Sequence, residues 1–221
     1  MVKQNISKVL VFLIITSGNS LLARQAGPKI SRNPEFAQVD SLFLERWSPR
    51  AMSGKEVCNE DLMALFEAAR WAPSSYNEQP WRFIYARKGT AEWDVFMNLL
   101  VPFNQAWCKN GSILVVMVSK NNSANGEFNG SHSFDTGSAW ENLALQGSLK
   151  GLVVHGMSGF DYEKARLALH IPDDYTVEAM CVIGHPGSIT MLPEQMQTME
   201  KPSGRKKINE IVCQGSFKFA Q

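Results

Sequence analysis

Residues 59–86 read "NEDLMALFEAARWAPSSYNEQPWRFIYA". Leu62, Leu65, Phe66 and Ala69 recur at i, i+3, i+4 and i+7, so the first half predicts a helix with one apolar face, and Glu60 and Asp61 suit its first turn. Pro73 closes that helix, and "WRFIYA" (81–86) alternates as a strand does. Between them, "APSSYNEQPW" (72–81) sets two serines, an asparagine and a glutamine between prolines at the mouth of the strand. A plain turn does not need that set of hydrogen-bonding groups, and the stretch reads as one wall of a site.

The flanking sequence extends the helix–strand rhythm. "VDSLFLERW" predicts a first helix ended by Ser48-Pro49. "SILVVMV" (112–118) is a continuous apolar run, expected of a strand covered on both faces. Between the two strands lie a helical piece and "PFNQAWCKNG", read as a loop, and "NNSANGEFNGSHS" (121–133) reads as a mobile excursion. "FDTGSAWENLALQGSLKG" is a second strong helix, with Trp140, Leu143, Ala144 and Gly147 on one face and Gly151 at its end. A short strand follows at 152–154, then a helix from about Tyr162 to Leu169 stopped by Pro172, and the strand "VEAMCVIG" (177–184). The order predicts an α/β (α+β) domain with a mixed central sheet flanked by helices. No GxGxxG or GxxxxGK[ST] is present, and the strict βαβ rhythm of a dinucleotide fold is missing.

Composition narrows the function classes. An apolar content of 44% and a charged content of 19% are ordinary for a globular chain, and a net charge of +1 gives no electrostatic case for nucleic acid. Cys58, Cys108, Cys181 and Cys213 are widely separated, with no metal-ligand spacing, so neither a zinc site nor a disulfide framework is expected. Residues 1–26 differ from the rest: Lys3 and Lys8 precede an apolar run from Val9 to Ile15, the layout of a secretory signal, too short to span a bilayer. Neither Ala23 nor Ala26 has a small residue three positions before it, so a cleaved signal and an extra leader both stay open. The domain is expected over 27–221, in the cytoplasm, or exported if 1–26 is removed as a signal.

No GxSxG, HExxH or other nucleophile or metal motif appears, so a cofactor is expected to carry any reaction. His155, beside an apolar strand, reads as a hydrogen-bonded structural residue. Four stretches offer groups suited to a phosphorylated aromatic ligand. "RWSPR" (46–50) places two guanidinium groups and a hydroxyl within five residues, although solvated arginines at a helix end explain it equally well. "GRKK" (204–207) could add a cation or be a solvated charge run. "GMSGFD" (156–161) is a glycine-flanked turn whose N–H groups could approach a ligand, or a simple connection. "APSSYNEQPW" is the fourth.

Together, and in the order in which they stand along the chain, these stretches resemble the FMN-dependent nitroreductase family over about residues 33–217. The resemblance implies an intertwined homodimer with two shared sites, FMN as cofactor and NAD(P)H as electron donor, reducing nitroaromatic, quinone-like or related flat acceptors by a ping-pong mechanism through flavin N5, with no metal. It assigns Arg46, Trp47, Ser48 and Arg50 to the phosphate and the pyrimidine side of the flavin. Pro73, Ser74, Ser75 and Asn77 are assigned to the segment that reaches the partner's flavin. Asn104 is assigned to the isoalloxazine, Met157, Ser158 and Gly159 to the turn over N5, and Arg205 to the phosphate. No side chain is assigned a catalytic role, and Phe128 is expected to border the acceptor. Two departures stand out: Ser158 replaces a glutamate found in some members, and Ser203 replaces a lysine, which weakens one phosphate contact unless Lys206 or Lys207 takes its place. A specialised relative, such as a reductive dehalogenase, and a non-catalytic FMN-binding protein remain alternatives.

Overall fold

The computed structural model describes residues 32–219; the expected leader over 1–26 lies outside them. Four strands form one sheet in the order β1-β2-β4-β3, comprising β1 (Trp81–Arg87), β2 (Ile113–Lys120), β3 (Val153–Met157) and β4 (Tyr175–Gly184). The α/β class is as expected, but every strand pair described is antiparallel rather than mixed. Helical connections do not force parallel pairing, because the chain can re-enter the sheet from the end at which it left.

β2 shows why its sequence is a continuous apolar run. Leu114, Val116 and Val118 pack into a core with Trp93, Phe96, Trp107, Met180 and Val182. Ile113, Val115 and Met117 face a second core with Leu62, Leu65, Leu143, Cys181 and Ile183. Successive side chains point to opposite faces, so a central strand between two helical layers has no polar side.

The first layer contains α3 (Ala91–Leu99), α4 (Pro102–Cys108) and α6 (Tyr162–Ala168). The stretch expected as a loop at 102–111 is thus mostly helix. Pro102 occupies the first turn, where its missing N–H costs nothing, so its presence there marks a start rather than a break. The second layer is α2 (Asn59–Arg70) against α5 (His132–Leu149). Leu62, Leu65 and Ala69 of α2 are buried as the periodicity predicts. Gly147 lets α5 approach β3, since a Cβ there would lie 2.3 Å from Val154 Cγ2. A short helix, α1 (Ser41–Glu45), is capped by the Asp40 carboxylate and releases the chain at Arg46. Among the described residues no helix is long and apolar enough to cross a membrane.

Residues 121–129 are tied across by Asn129 N to Asn121 O at 2.8 Å and Ser123 N to Glu127 O at 2.8 Å, a hydrogen-bonded turn rather than an open excursion.

Candidate functional site

A cavity of about 460 Å³ opens between the start of α5 and the edge of the sheet. Ser133, Thr136, Gly137, Trp140 and Glu141 line it from one face of α5, at the three-to-four-residue spacing that aligns side chains along a helix. Met117, Gly156, Met157, Ser158, Glu178 and Ala179 line it from the sheet, and Arg46 and Ser48 close one end. Thr136 is buried, and its Oγ1 has no hydrogen-bond partner among the described residues, an unsatisfied polar group within the wall.

The stretch from Arg46 to Ala51 is held from two sides. Arg50 N and Ala51 N each donate to Glu200 Oε1 at 2.7 Å, and the Pro49 carbonyl accepts from His155 Nδ1 at 2.9 Å. Burial drives the His155 pKa down to about 4, so the ring is neutral with its proton on Nδ1 facing the carbonyl. His155 is therefore the structural residue expected. Arg46 Nη1 donates to Ser48 Oγ at 3.3 Å, and Arg46 Nε lies 3.6 Å from Glu141 Oε1.

Behind the cavity wall, Asn104 sits in α4 and is buried; its Nδ2 donates to Gly159 O at 3.0 Å, and its Oδ1 accepts from Trp107 Nε1 at 3.3 Å. Gly159 is required here, because a Cβ would lie 2.6 Å from that same amide nitrogen. The thiol of Cys108, pushed up by burial, lies 3.4 Å behind the Met157 sulfur. Thus the turn 157–159 is backed by α4.

Glu178 reaches the cavity through an irregularity of the sheet. Met117 pairs with Ala179 and Val118 with Val177, so Glu178 is the extra residue of a bulge, a feature that re-aims a side chain. Its carboxylate accepts hydrogen bonds from Ser119 Oγ and, at 2.7 Å, from Ser133 Oγ. Because the Ser119 hydroxyl donates to Glu178, it accepts from His132 Nδ1 at 2.7 Å.

Of the residues singled out from sequence, Arg46, Ser48, Met157 and Ser158 come together on the cavity wall. Asn104 and Gly159 lie immediately behind it. Arg50 is not among the lining residues; its guanidinium lies 5.8 Å over the Trp107 ring, with Nε buried and unpartnered. Trp47 is half-buried and lines nothing.

Pro73, Ser74, Ser75 and Asn77 are off the cavity, in a turn fixed by Ser75 N donating to the buried Asp135 Oδ2 at 3.1 Å. Tyr76, Asn77 and Gln79 have φ of 49°, 57° and 48°, a concentration of left-handed backbone in a stretch without glycine. Arg205 is exposed and donates to Ser203 Oγ and the carbonyls of Ser203 and Gly204. Lys206 and Lys207 are exposed, and Phe128 stands edge-on to His132 without lining the cavity.

Thr136, Glu141 and Glu178 are among the lining residues that no sequence motif singled out. The serine-threonine spacing at the start of α5 was an available signal for Thr136. A bulge at Glu178 had none.

Comparison with known proteins follows the same lines. A model of the nitroreductase family matches residues 44–106. A crystal structure described as an oxidoreductase containing FMN superposes with a TM-score of 0.83 at 39% identity, covering 88% of this chain and 100% of that one. A protein of Rhodopseudomonas palustris (strain TIE-1), provisionally named an NADH dehydrogenase/NAD(P)H nitroreductase, is 26% identical over 175 residues, 70% of this chain and 88% of its own length. The major NAD(P)H-flavin oxidoreductase of Aliivibrio fischeri is 39% identical over 69 residues, 30% of this chain and 31% of that one.

Proposed function

We propose, from the premise that this chain belongs to the nitroreductase family and is an FMN-dependent NAD(P)H oxidoreductase, that it reduces flat acceptors of the nitroaromatic or quinone class in the cavity between α5 and the sheet. The observation that carries the reading is the wall itself. It joins a cationic end at Arg46 and Ser48 to a slot edged by Met117, Trp140, Met157 and Ala179, with an unpartnered buried hydroxyl at Thr136.

These residues suit FMN. The volume falls within the roughly 300–1,000 Å³ of small-molecule sites. Gly137 and Gly156 keep side-chain bulk out of the slot, and the unsatisfied hydroxyl of Thr136 behind it would be partnered by a heteroaromatic edge if the side chain turned into the slot. When bound, the flavin would accept hydride from NAD(P)H and pass reducing equivalents to an acceptor in the same slot, which is a ping-pong arrangement.

The chain's own residues bind and orient. Arg46, Ser48 and Arg205 would face the phosphate, and Met157, Ser158 and Gly159 would form the turn over the ring. Asn104 holds that turn by its bond to Gly159 O. Arg50 contributes positive charge from behind the wall, where it is stacked on Trp107. Glu178, with Ser119, Ser133 and His132, makes one wall anionic and rich in hydrogen bonds.

The second wall would come from another copy of the chain in a homodimer. Support comes from the aromatic surface beside the strained turn, where Tyr76 is 96% exposed and Phe134, next to Asp135, is 80% exposed. Pro73, Ser74, Ser75 and Asn77 would then serve the neighbour's flavin, and the domain would span 27–221.

The test is an anaerobic titration of the purified protein with NADH and with NADPH, followed by reoxidation with a panel of nitroaromatics and quinones. A yellow protein bleached by at least one nicotinamide and recoloured by these acceptors is expected. A colourless protein that takes up no FMN would falsify the reading, and bound FMN that neither nicotinamide bleaches would favour a non-catalytic FMN-binding protein.

A further inference from the structure

Arg32 precedes every motif discussed above, yet the fold carries it to the cationic end of the cavity. Its Nη1 donates to Arg46 O at 3.0 Å. The segment that follows it is tied to the carboxyl-terminal stretch by Ile208 N donating to Glu35 Oε2 at 3.2 Å, and the charges of both Arg46 and Arg205 act on Arg32.

One guanidinium nitrogen is thereby used. The other two, Nε and Nη2, are buried and have no hydrogen-bond partner among the described residues. Other arginines of this fold spend their donors inside the protein: Arg166 on the carbonyls of Ile171, Pro172 and Tyr175, and Arg87 on Val57 O and Asn59.

The surroundings of Arg32 are also of the wrong sign for a resting structure. Its pKa is lowered first by burial and then by the positive charges of Arg205 and Arg46. Glu141, 3.6 Å from Arg46 Nε, is half-exposed. Ser48 and Ser203 lend only hydroxyl oxygens to Arg46 and Arg205. Three guanidinium groups that repel one another, one of them with two desolvated and unpartnered donors, call for an anion that brings several acceptor oxygens, and a phosphate monoester has that charge and shape.

We propose that Arg32 is a third phosphate-binding arginine of the site, completing with Arg46 and Arg205 a pocket for the terminal phosphate of FMN. This rests on the flavin reading above and adds a residue to it. A phosphate monoester is also present on NADPH, so the test separates the two sources.

Purified full-length protein, stripped of flavin, is titrated with FMN and with riboflavin, which lacks the phosphate, by quenching of flavin fluorescence. Wild type, Arg32→Met and Arg32→Lys are compared, and each protein reloaded with FMN is then titrated anaerobically with NADPH and with NADH. Arg32→Met is expected to raise the FMN Kd roughly tenfold to hundredfold, as for loss of charge-assisted hydrogen bonds, and to leave the riboflavin Kd within about twofold. Arg32→Lys keeps the charge without the fork and is expected to fall between.

An unchanged FMN Kd in Arg32→Met overturns the proposal. So does an equal loss for both flavins with a lowered melting temperature, the mark of a strut, and so does a change confined to the NADPH-over-NADH preference. Wild type that binds neither flavin brings down the flavin reading as a whole, whereas tight FMN binding indifferent to Arg32 removes the arginine alone.

Discussion

Replacing Asn104 by alanine probes whether α4 sets the turn over the cavity. The side chain makes two bonds, to Gly159 O at 3.0 Å and from Trp107 Nε1 at 3.3 Å. Trp107 is 1% exposed, so water cannot replace the lost acceptor, whereas Gly159 is only half-buried and its carbonyl can partly rehydrate. At about 1–3 kcal/mol for each of two orphaned buried partners, the sum is roughly 2–6 kcal/mol, reduced toward the lower end by that rehydration. In a domain of this size about 1 kcal/mol moves the melting temperature by about 2–4 °C, which gives a drop of roughly 5–15 °C. Asn104→Asp keeps an acceptor for Trp107 but sets a carboxylate oxygen against the Gly159 carbonyl, so it is expected to lose flavin affinity at least as severely. Urea unfolding at fixed protein concentration, followed by tryptophan fluorescence, measures stability, and flavin titration measures the turn. A loss below about 1 kcal/mol, with flavin affinity unchanged in both variants, would refute the argument that this amide organises the turn.

Three further outcomes follow from particular contacts. Gly156→Ala places a Cβ 2.9 Å from Trp140 Cζ2, so the ring must move where it lines the cavity; overpacking of about 1–3 kcal/mol predicts weaker flavin binding by calorimetric titration. Since the His155 pKa is depressed to about 4, from about 6.5 unfolded, the unfolded chain binds the extra proton between these values. Stability from this group is full above about pH 6.5 and is lost as pH falls toward 4, by roughly 3 kcal/mol, and His155→Gln, compared by urea unfolding at several pH values, is expected to flatten that slope. Asn77→Gly removes the side chain while tolerating the φ of 57°, and is expected to weaken FMN binding with little change in melting temperature; Asn77→Ala should do the same with about 1 kcal/mol of added backbone strain.

Much of the layout was legible because it depends on short-range patterns. The apolar periodicity of Leu62, Leu65 and Ala69 and the unbroken run of β2 translate directly into a helix face and a doubly covered strand. "PFNQAWCKNG" was misread because a proline ends most helices and begins others, and only the packing of Trp107 and Cys108 into the core decides between the two. The sheet was expected to be mixed because the order of elements does not specify the end from which each strand enters.

By itself, the sequence determined the α/β class, the helix–turn–strand unit around 59–86 and the motif order that marks the family, since all three lie in local spacing and residue type. Only the tertiary structure decided which groups face the cavity. Arg46, Ser48, Met157 and Ser158 meet there, Arg50 turns back over Trp107, a bulge delivers Glu178, and Arg32 arrives from the far end of the described chain. The physical reason is that orientation depends on long-range packing and strand register, and neither is written in the spacing of neighbouring residues.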